Sequence, residues 1–344
     1  MRVGEHTTLP KGLLDCPATE LHRLLGGPAL VHLPGERGPA LFVSVLLHGN
    51  EVSGWNGLRR LLREHARLPR AVSIFIGNVE AAALGLRSLP RQQDFNRVWR
   101  DAHGVEAQMA ASVLASLRER GLFAAVDLHN NTGHNPHYGV VTDLDAGNLG
   151  LAYSFSDKAV YIREPDTVLT RVFAGRCPAV ALELGPVGDP RCEERCYDYL
   201  ARLLALDEVP PAPLENLSLF RTLVRIHVAA DVDFAFAGDG SEDRALVLTG
   251  GLEGINFHEL PPGASFGRTT RPLSEVLCAL DVDHRNVTDA YFAVEAGDIK
   301  VRQSVIPAMY TTDPQVIRQD CLCYFMERMD ETDRANSRQQ MANS

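Results

Sequence analysis

Three short apolar runs constrain this chain more than anything else in it, because each delivers a residue able to bind or serve a metal ion. Leu41-Phe42-Val43-Ser44-Val45-Leu46-Leu47 leads into His48-Gly49-Asn50-Glu51. Phe123-Ala124-Ala125-Val126-Asp127-Leu128 leads into His129, and Ala179-Val180-Ala181-Leu182 into Glu183. Apolar runs of this length read as buried strands. In an open α/β sheet, ligands collect beyond the carboxyl ends of the strands. The chain is therefore expected to gather His48, Glu51, His129 and Glu183 at one sheet edge.

Up to about residue 208, strand-like and helix-like segments alternate. Ala29–Leu33, Ala71–Ile76, Tyr138–Val141 and Ala159–Ile162 read as strands. Trp55, Leu58, Leu61 and Leu62 mark a helix, and Val105–Leu117 and Arg191–Leu206 mark two more. The alternation predicts an α/β fold, a mixed and mostly parallel sheet with helices on both faces. Val209-Pro210-Pro211-Ala212-Pro213 then stops the helical pattern and stiffens a linker. Residues 214–330 carry short β-rich runs between Gly-rich turns and predict a small C-terminal β domain, a sandwich or barrel. The polar tail 331–344 is expected to be disordered.

The chain has 344 residues, more than one comfortable core, so two domains are expected. Its net charge is −10 and its Lys and Arg residues are scattered, which argues against nucleic acid or an anionic membrane as partner. No apolar run reaches the roughly 18 residues of a membrane span. Met1-Arg2-Val3-Gly4-Glu5-His6 lacks the apolar stretch of a signal peptide. The seven cysteines have no framework spacing, and a reducing cytoplasmic setting suits them. A homo-oligomer stays open.

Two His and one carboxylate suit a catalytic zinc that keeps an open position, so His48, Glu51 and His129 are the expected ligands of one zinc ion per chain. H-x-x-E alone is better read as a buried His beside a helix start; the second strand ending in Asp127-Leu128-His129 reverses that reading in favour of metal. Glu183, set in apolar surroundings, is the expected base, since desolvation brings a carboxyl's basicity toward neutrality. Arg87 and Asp94-Phe95-Asn96-Arg97 follow the strand ending at Ile76. A loop with Arg87, Asn96 and Arg97 can clamp a carboxylate.

Taken together, His48-Gly49-Asn50-Glu51, Gly77-Asn78, Arg87, Asp94-Phe95-Asn96-Arg97, Asp127-Leu128-His129 and Glu183-Leu184-Gly185 resemble the succinylglutamate desuccinylase/aspartoacylase family, a branch of the zinc carboxypeptidase-like fold. The resemblance implies zinc on His48, Glu51 and His129, with Glu183 as general base and acid. It implies Asn96 and Arg97 gripping a substrate carboxylate and Arg87 polarising the scissile carbonyl. The implied activity is cleavage of an N-acyl amino acid or a related small, carboxylate-bearing amide. Two features depart from the family's pattern. Val79 follows Gly77-Asn78 where the family has Pro, and the segment after His129 is rich in Asn and His; His134 and His137 are able to line the site or a second metal, but exposed loop residues are the preferred reading.

Two rival functions stay in view, a zinc carboxypeptidase acting on peptide or peptidoglycan fragments and a non-catalytic zinc-binding protein. Gly263-Ala264-Ser265-Phe266-Gly267 matches the G-x-S-x-G pattern of serine hydrolases. That elbow needs a strand before it and a helix after it, whereas Pro261-Pro262 and Arg268-Thr269-Thr270-Arg271-Pro272 flank it here. A β-turn is expected instead.

Overall fold

The computed structural model describes residues 1–240, 243–330 and 332–333. The first strands are β1 (Gly4–His6), β2 (Ala29–Leu33), β3 (Ala40–Val45), β4 (Val72–Ile76) and β5 (Leu122–Asn131). β6 (Tyr138–Val141), β7 (Lys158–Tyr161) and β8 (Ala179–Pro186) follow. They lie in the order β1-β2-β4-β3-β5-β8-β6-β7. β3 runs parallel to β4 and to β5, with Val45 opposite Ile76 on one side and Leu128 on the other. β6 runs antiparallel to β8, and β2 to β4, so the sheet is mixed with a mainly parallel centre.

The helices are α1 (Leu21–Leu25), α2 (Ser53–Glu64), α3 (Val79–Ala83), α4 (Val105–Arg118), α5 (Ala146–Phe155) and α6 (Pro190–Ala205). Alternation along the central strands explains why helices cover both faces. Phe42, Phe75 and Ala125 point to one face and share a core with Met109, Val113 and Leu117 of α4. Val45 and Leu128 have the opposite parity and meet α2 at Gly54. In α2, Trp55, Leu58, Leu61 and Leu62 are buried, while Arg60 and Glu64 pair on the outer side. Gly57 lets α2 approach α6: a Cβ there would stand 2.7 Å from the Cβ of Cys196.

These elements form one compact unit comprising Met1–Asn130, His137–Leu219 and Asp330. The second unit comprises Asn131–Pro136 and Phe220–Met329. Its strands are β9 (Ser218–Val228, which begins in the first unit), β10 (Phe234–Phe236), β11 (Leu246–Leu248), β12 (Ser265–Thr269) and β13 (Leu277–Asp281). β14 (Phe292–Glu295), β15 (Asp298–Val301), β16 (Ile306–Ala308) and β17 (Cys323–Arg328) complete it. Five of them form a sheet in the order β10-β11-β12-β15-β14. β9 pairs antiparallel with β13 and β17, and β17 with β16. Phe266, Phe292 and Phe325 pack at 4.9–5.6 Å between ring centroids in its core. Within this unit Asn135 Oδ1 accepts a hydrogen bond from Met309 N, and Asn256 bonds both N and O of Tyr310. Of the tail 331–344, all but residues 332 and 333 lies outside the described residues, and so does most of the expected disorder.

Ser265 opens strand β12 and is exposed. No helix follows it directly, so the serine-nucleophile elbow does not form.

Replacing Gly57 tests the α2–α6 approach. In an open helix Gly→Ala stabilises by about 1 kcal/mol. Here the added methyl meets Cys196, so Gly57→Ala should destabilise by about 1–3 kcal/mol. Urea unfolding followed by circular dichroism reads the sign directly.

Candidate active site

The turn after β3 is built to aim side chains. The strand ends at Val45, and Leu46 takes a left-handed φ of 58°, rare for a buried branched residue. Its carbonyl accepts from Asn78 N at 2.6 Å. Gly49 N donates to Arg87 O at 3.0 Å, and a Cβ at Gly49 would lie 2.2 Å from Ala82 N. Only glycine fits between His48 and Asn50. α2 then starts without a capping side chain of its own, and Asn130 supplies the missing acceptor: its Oδ1 takes Ser53 N at 3.2 Å.

This turn and the end of β5 meet through Glu51. Its Oε1 lies 2.7 Å from His48 Nδ1 and its Oε2 lies 2.8 Å from His129 Nδ1. Asn130 N also donates to Oε2, at 3.2 Å. One ligand atom from each of His48, Glu51 and His129 lies within 4.8 Å of the others, and all three residues are buried. Among the described residues no other group of three or more His, Cys, Asp or Glu is so arranged. Two imidazoles and a carboxylate are the borderline donor set that zinc accepts. The outer nitrogen of each ring is held by a further carboxylate. His48 Nε2 lies 3.0 Å from Asp94 Oδ1, and His129 Nε2 lies 2.8 Å from Asp127 Oδ2. Such partners fix ring orientation and tautomer at metal sites, so the residues present fit a zinc ion.

The charges reinforce one another. Burial alone would raise the Glu51 carboxyl, but the two imidazoles hold it far below the ordinary carboxylate range. Burial and Arg87 work against a proton on His48, yet Glu51 and Asp94 outweigh them and raise its affinity for one. His129 is likewise desolvated, and Asp127 and Glu51 lift it well above the usual histidine value. Glu183 goes the other way for a carboxyl. Burial, helped by the charge of Glu51, pushes it up to about 7 against the pull of His129, His48 and Arg87. Its Oε2 is buried and makes no hydrogen bond to protein.

Arg87 donates to Glu51 Oε1 at 3.4 Å and to Asp94 Oδ2 at 3.1 Å, so its charge stands beside the Glu51 carboxylate. Asn96 lies beside His129, with Nδ2 3.4 Å from Nε2, and its Oδ1 accepts from Leu169 N. Arg97 donates to the carbonyl of Asn96 and its charge acts on Asp94. Asp94, Asp127 and Asn130 received no role from the sequence. For Asp127 the signal was available, because D-x-H on a strand places both side chains on one face. His134 is exposed in the second unit, whereas His137 is half-buried in the first and meets Phe155 edge-on at 5.4 Å between ring centroids. Neither joins a metal-ligand cluster among the described residues.

Residues 37–204 match the sequence model of the Succinylglutamate desuccinylase/Aspartoacylase catalytic domain. The fold is similar to that of succinylglutamate desuccinylase from Chromobacterium violaceum, at 17% identity and a TM-score of 0.58 over 88% of both chains. Succinylglutamate desuccinylase/aspartoacylase from Rhodobacter sphaeroides is similar at 17% identity and a TM-score of 0.57, over 87% of this chain and 89% of that one. Murine aminoacylase 3 is similar at 18% identity and a TM-score of 0.57, over 86% and 97%. Comparison with curated protein sequences gave no match.

Single Ala variants of His48, Glu51 and His129 should each lose tightly held zinc, as read by metal analysis after dialysis. Protons compete with the metal for the same nitrogens. Both imidazoles hold protons more strongly than ordinary histidine. Apparent zinc affinity, measured by chelator competition, should therefore keep rising with pH above the usual histidine range of about 6.5.

Proposed function

We propose, on the premise that residues 37–204 form a succinylglutamate desuccinylase/aspartoacylase catalytic domain, that this chain is a zinc-dependent amidohydrolase acting on an N-acyl amino acid or a related small carboxylate-bearing amide. The observation that carries the reading is the pairing of a His48–Glu51–His129 cluster with Glu183, whose carboxyl titrates at about 7. The ligands and the base come from three different strand ends, and their charges act on one another.

His48, Glu51 and His129 would hold the zinc. When bound, zinc polarises a carbonyl oxygen and lets water lose its proton near neutral pH. Glu183 takes that proton, because a buried carboxyl titrating near 7 is matched to accept it and then to return it to the leaving nitrogen. Arg87, held by Glu51 and Asp94, contributes positive charge where the scissile carbonyl becomes negative. Asn96 and Arg97, on the loop that approaches His129, orient the substrate through its carboxylate. We place the enzyme in the cytosol, since its seven cysteines are all free, as a reducing compartment keeps them.

Release of free amine from a panel of N-acyl amino acids, run beside a dipeptide panel, tests the substrate class. Hydrolysis confined to the dipeptides would replace this reading with a carboxypeptidase. Glu183→Gln should keep zinc and fold while losing about 10²–10⁴-fold in kcat. In the parent enzyme kcat/KM should fall as pH drops below about 7, since a protonated base cannot accept. Ser265→Ala should be silent.

Arg97→Ala should raise the barrier for a carboxylate substrate by about 2–5 kcal/mol and leave its neutral amide analogue nearly unchanged. Equal losses in kcat/KM for the matched pair would remove Arg97 from substrate recognition.

A further inference from the structure

Beneath His129 the core contains two buried polar atoms that make no hydrogen bond, Ser44 Oγ and Asp127 Oδ1. Both residues are almost fully buried. They sit on neighbouring parallel strands, Ser44 of β3 directly opposite Asp127 of β5. Register partners point to the same side of a sheet, and adjacent strands lie about 4.8 Å apart. On that side the flanking residues are Phe42, Phe75 and Ala125, all apolar and buried. A buried donor and a buried acceptor, side by side in apolar surroundings, are an unusual pair of orphans. The two atoms are not hydrogen-bonded to each other in the structure, and turning the Ser44 side chain about χ1 is the step that would join them. The other oxygen of Asp127 already takes His129 Nε2 at 2.8 Å, which turns Nδ1 of that ring toward Glu51.

We propose that Ser44 and Asp127 form a buried positioning relay behind His129. The Ser44 hydroxyl satisfies Oδ1 of Asp127 and fixes the carboxylate. Oδ2 keeps the proton of His129 on Nε2, and Nδ1 is presented as a lone pair to the metal. The inference rests on the metal reading above. Neither residue touches the metal or the substrate, so both act only through His129. The polar register pair is the physical reason for a serine in the otherwise apolar run Leu41–Leu47.

The test measures Zn²⁺ affinity of the full chain by competition with a chromogenic chelator, with fold checked by circular dichroism. Asp127→Asn should bind zinc about 10–100-fold more weakly. Ser44→Ala should lose about three- to tenfold, the worth of one net hydrogen bond. Ser44→Thr keeps the hydroxyl and should restore affinity, which a purely structural role for the serine would not require. In the Asp127→Asn background Ser44→Ala should cost nothing further, because the relay is already broken. If wild type binds zinc, His129→Ala abolishes binding, and both Asp127→Asn and Ser44→Ala bind as tightly as wild type, the relay is wrong while the metal centre stands. Additive losses in the double variant would also overturn it. If wild type takes up no zinc, the metal reading falls and the relay falls with it.

Discussion

Glu51 is the joint on which the site depends. Its two carboxylate oxygens go to imidazoles from different strands, His48 beyond β3 and His129 at the end of β5. The parallel register that sets Val45 opposite Leu128 brings those two ends level. A carboxylate buried among apolar strands is costly unless it is paired and hydrogen-bonded. Here the pairing is complete, with two rings, a backbone N–H from Asn130 and the guanidinium of Arg87. The surrounding carboxylates follow from the same logic. Each ring that turns Nδ1 inward needs a partner for Nε2, and Asp94 and Asp127 provide one apiece.

Glu183 belongs to the same field but answers to it differently. Glu51 is held anionic because cations or protonatable nitrogens touch both its oxygens. Glu183 has one oxygen with no hydrogen bond to protein, and burial dominates. Two glutamates within one site are thereby driven in opposite directions by contact alone. That separation is what the proposed division of labour needs, an anionic carboxylate beside the two imidazoles and a second one able to take up a proton near neutrality.

The sequence carried the parts of this arrangement that are one-dimensional. His48, His129 and Glu183 each close an apolar run, and the run, the turn and the polar residue are legible in order. Asp94 was not legible as a partner of His48, because it reaches the ring from a loop without periodicity. Asn130 looked like an ordinary polar residue, yet its side chain bonds Ser53 N and Gly185 O and so ties the start of α2 to the end of β8. α5 escaped for a different reason. Its segment Ala146–Phe155 is apolar on all sides and contains Gly147 and Gly150, so no amphipathic stripe announces it. Tertiary packing and the Asp145 cap, which accepts from Gly147 N and Asn148 N, hold it instead. β1, with the polar sequence Gly4-Glu5-His6, forms because β2 offers it a parallel edge.

The short excursion Asn131–Pro136 makes the two units inseparable as genetic parts. Its flanks, Asn130 and His137, belong to the first unit, whereas its own six residues belong to the second. There Asn135 is bound to Met309, and Gly133 lies so close to Tyr310 O that a Cβ would approach to 2.1 Å. A fragment cut at Leu219 would keep the excursion and lose Met309, Tyr310 and Asn256. The carboxy-terminal unit alone would lack six residues of its own fabric. Recombination that exchanged this unit as a cassette would have to replace a hexapeptide more than eighty residues upstream at the same time. The architecture therefore favours divergence by point change within one interwoven chain over shuffling of modules.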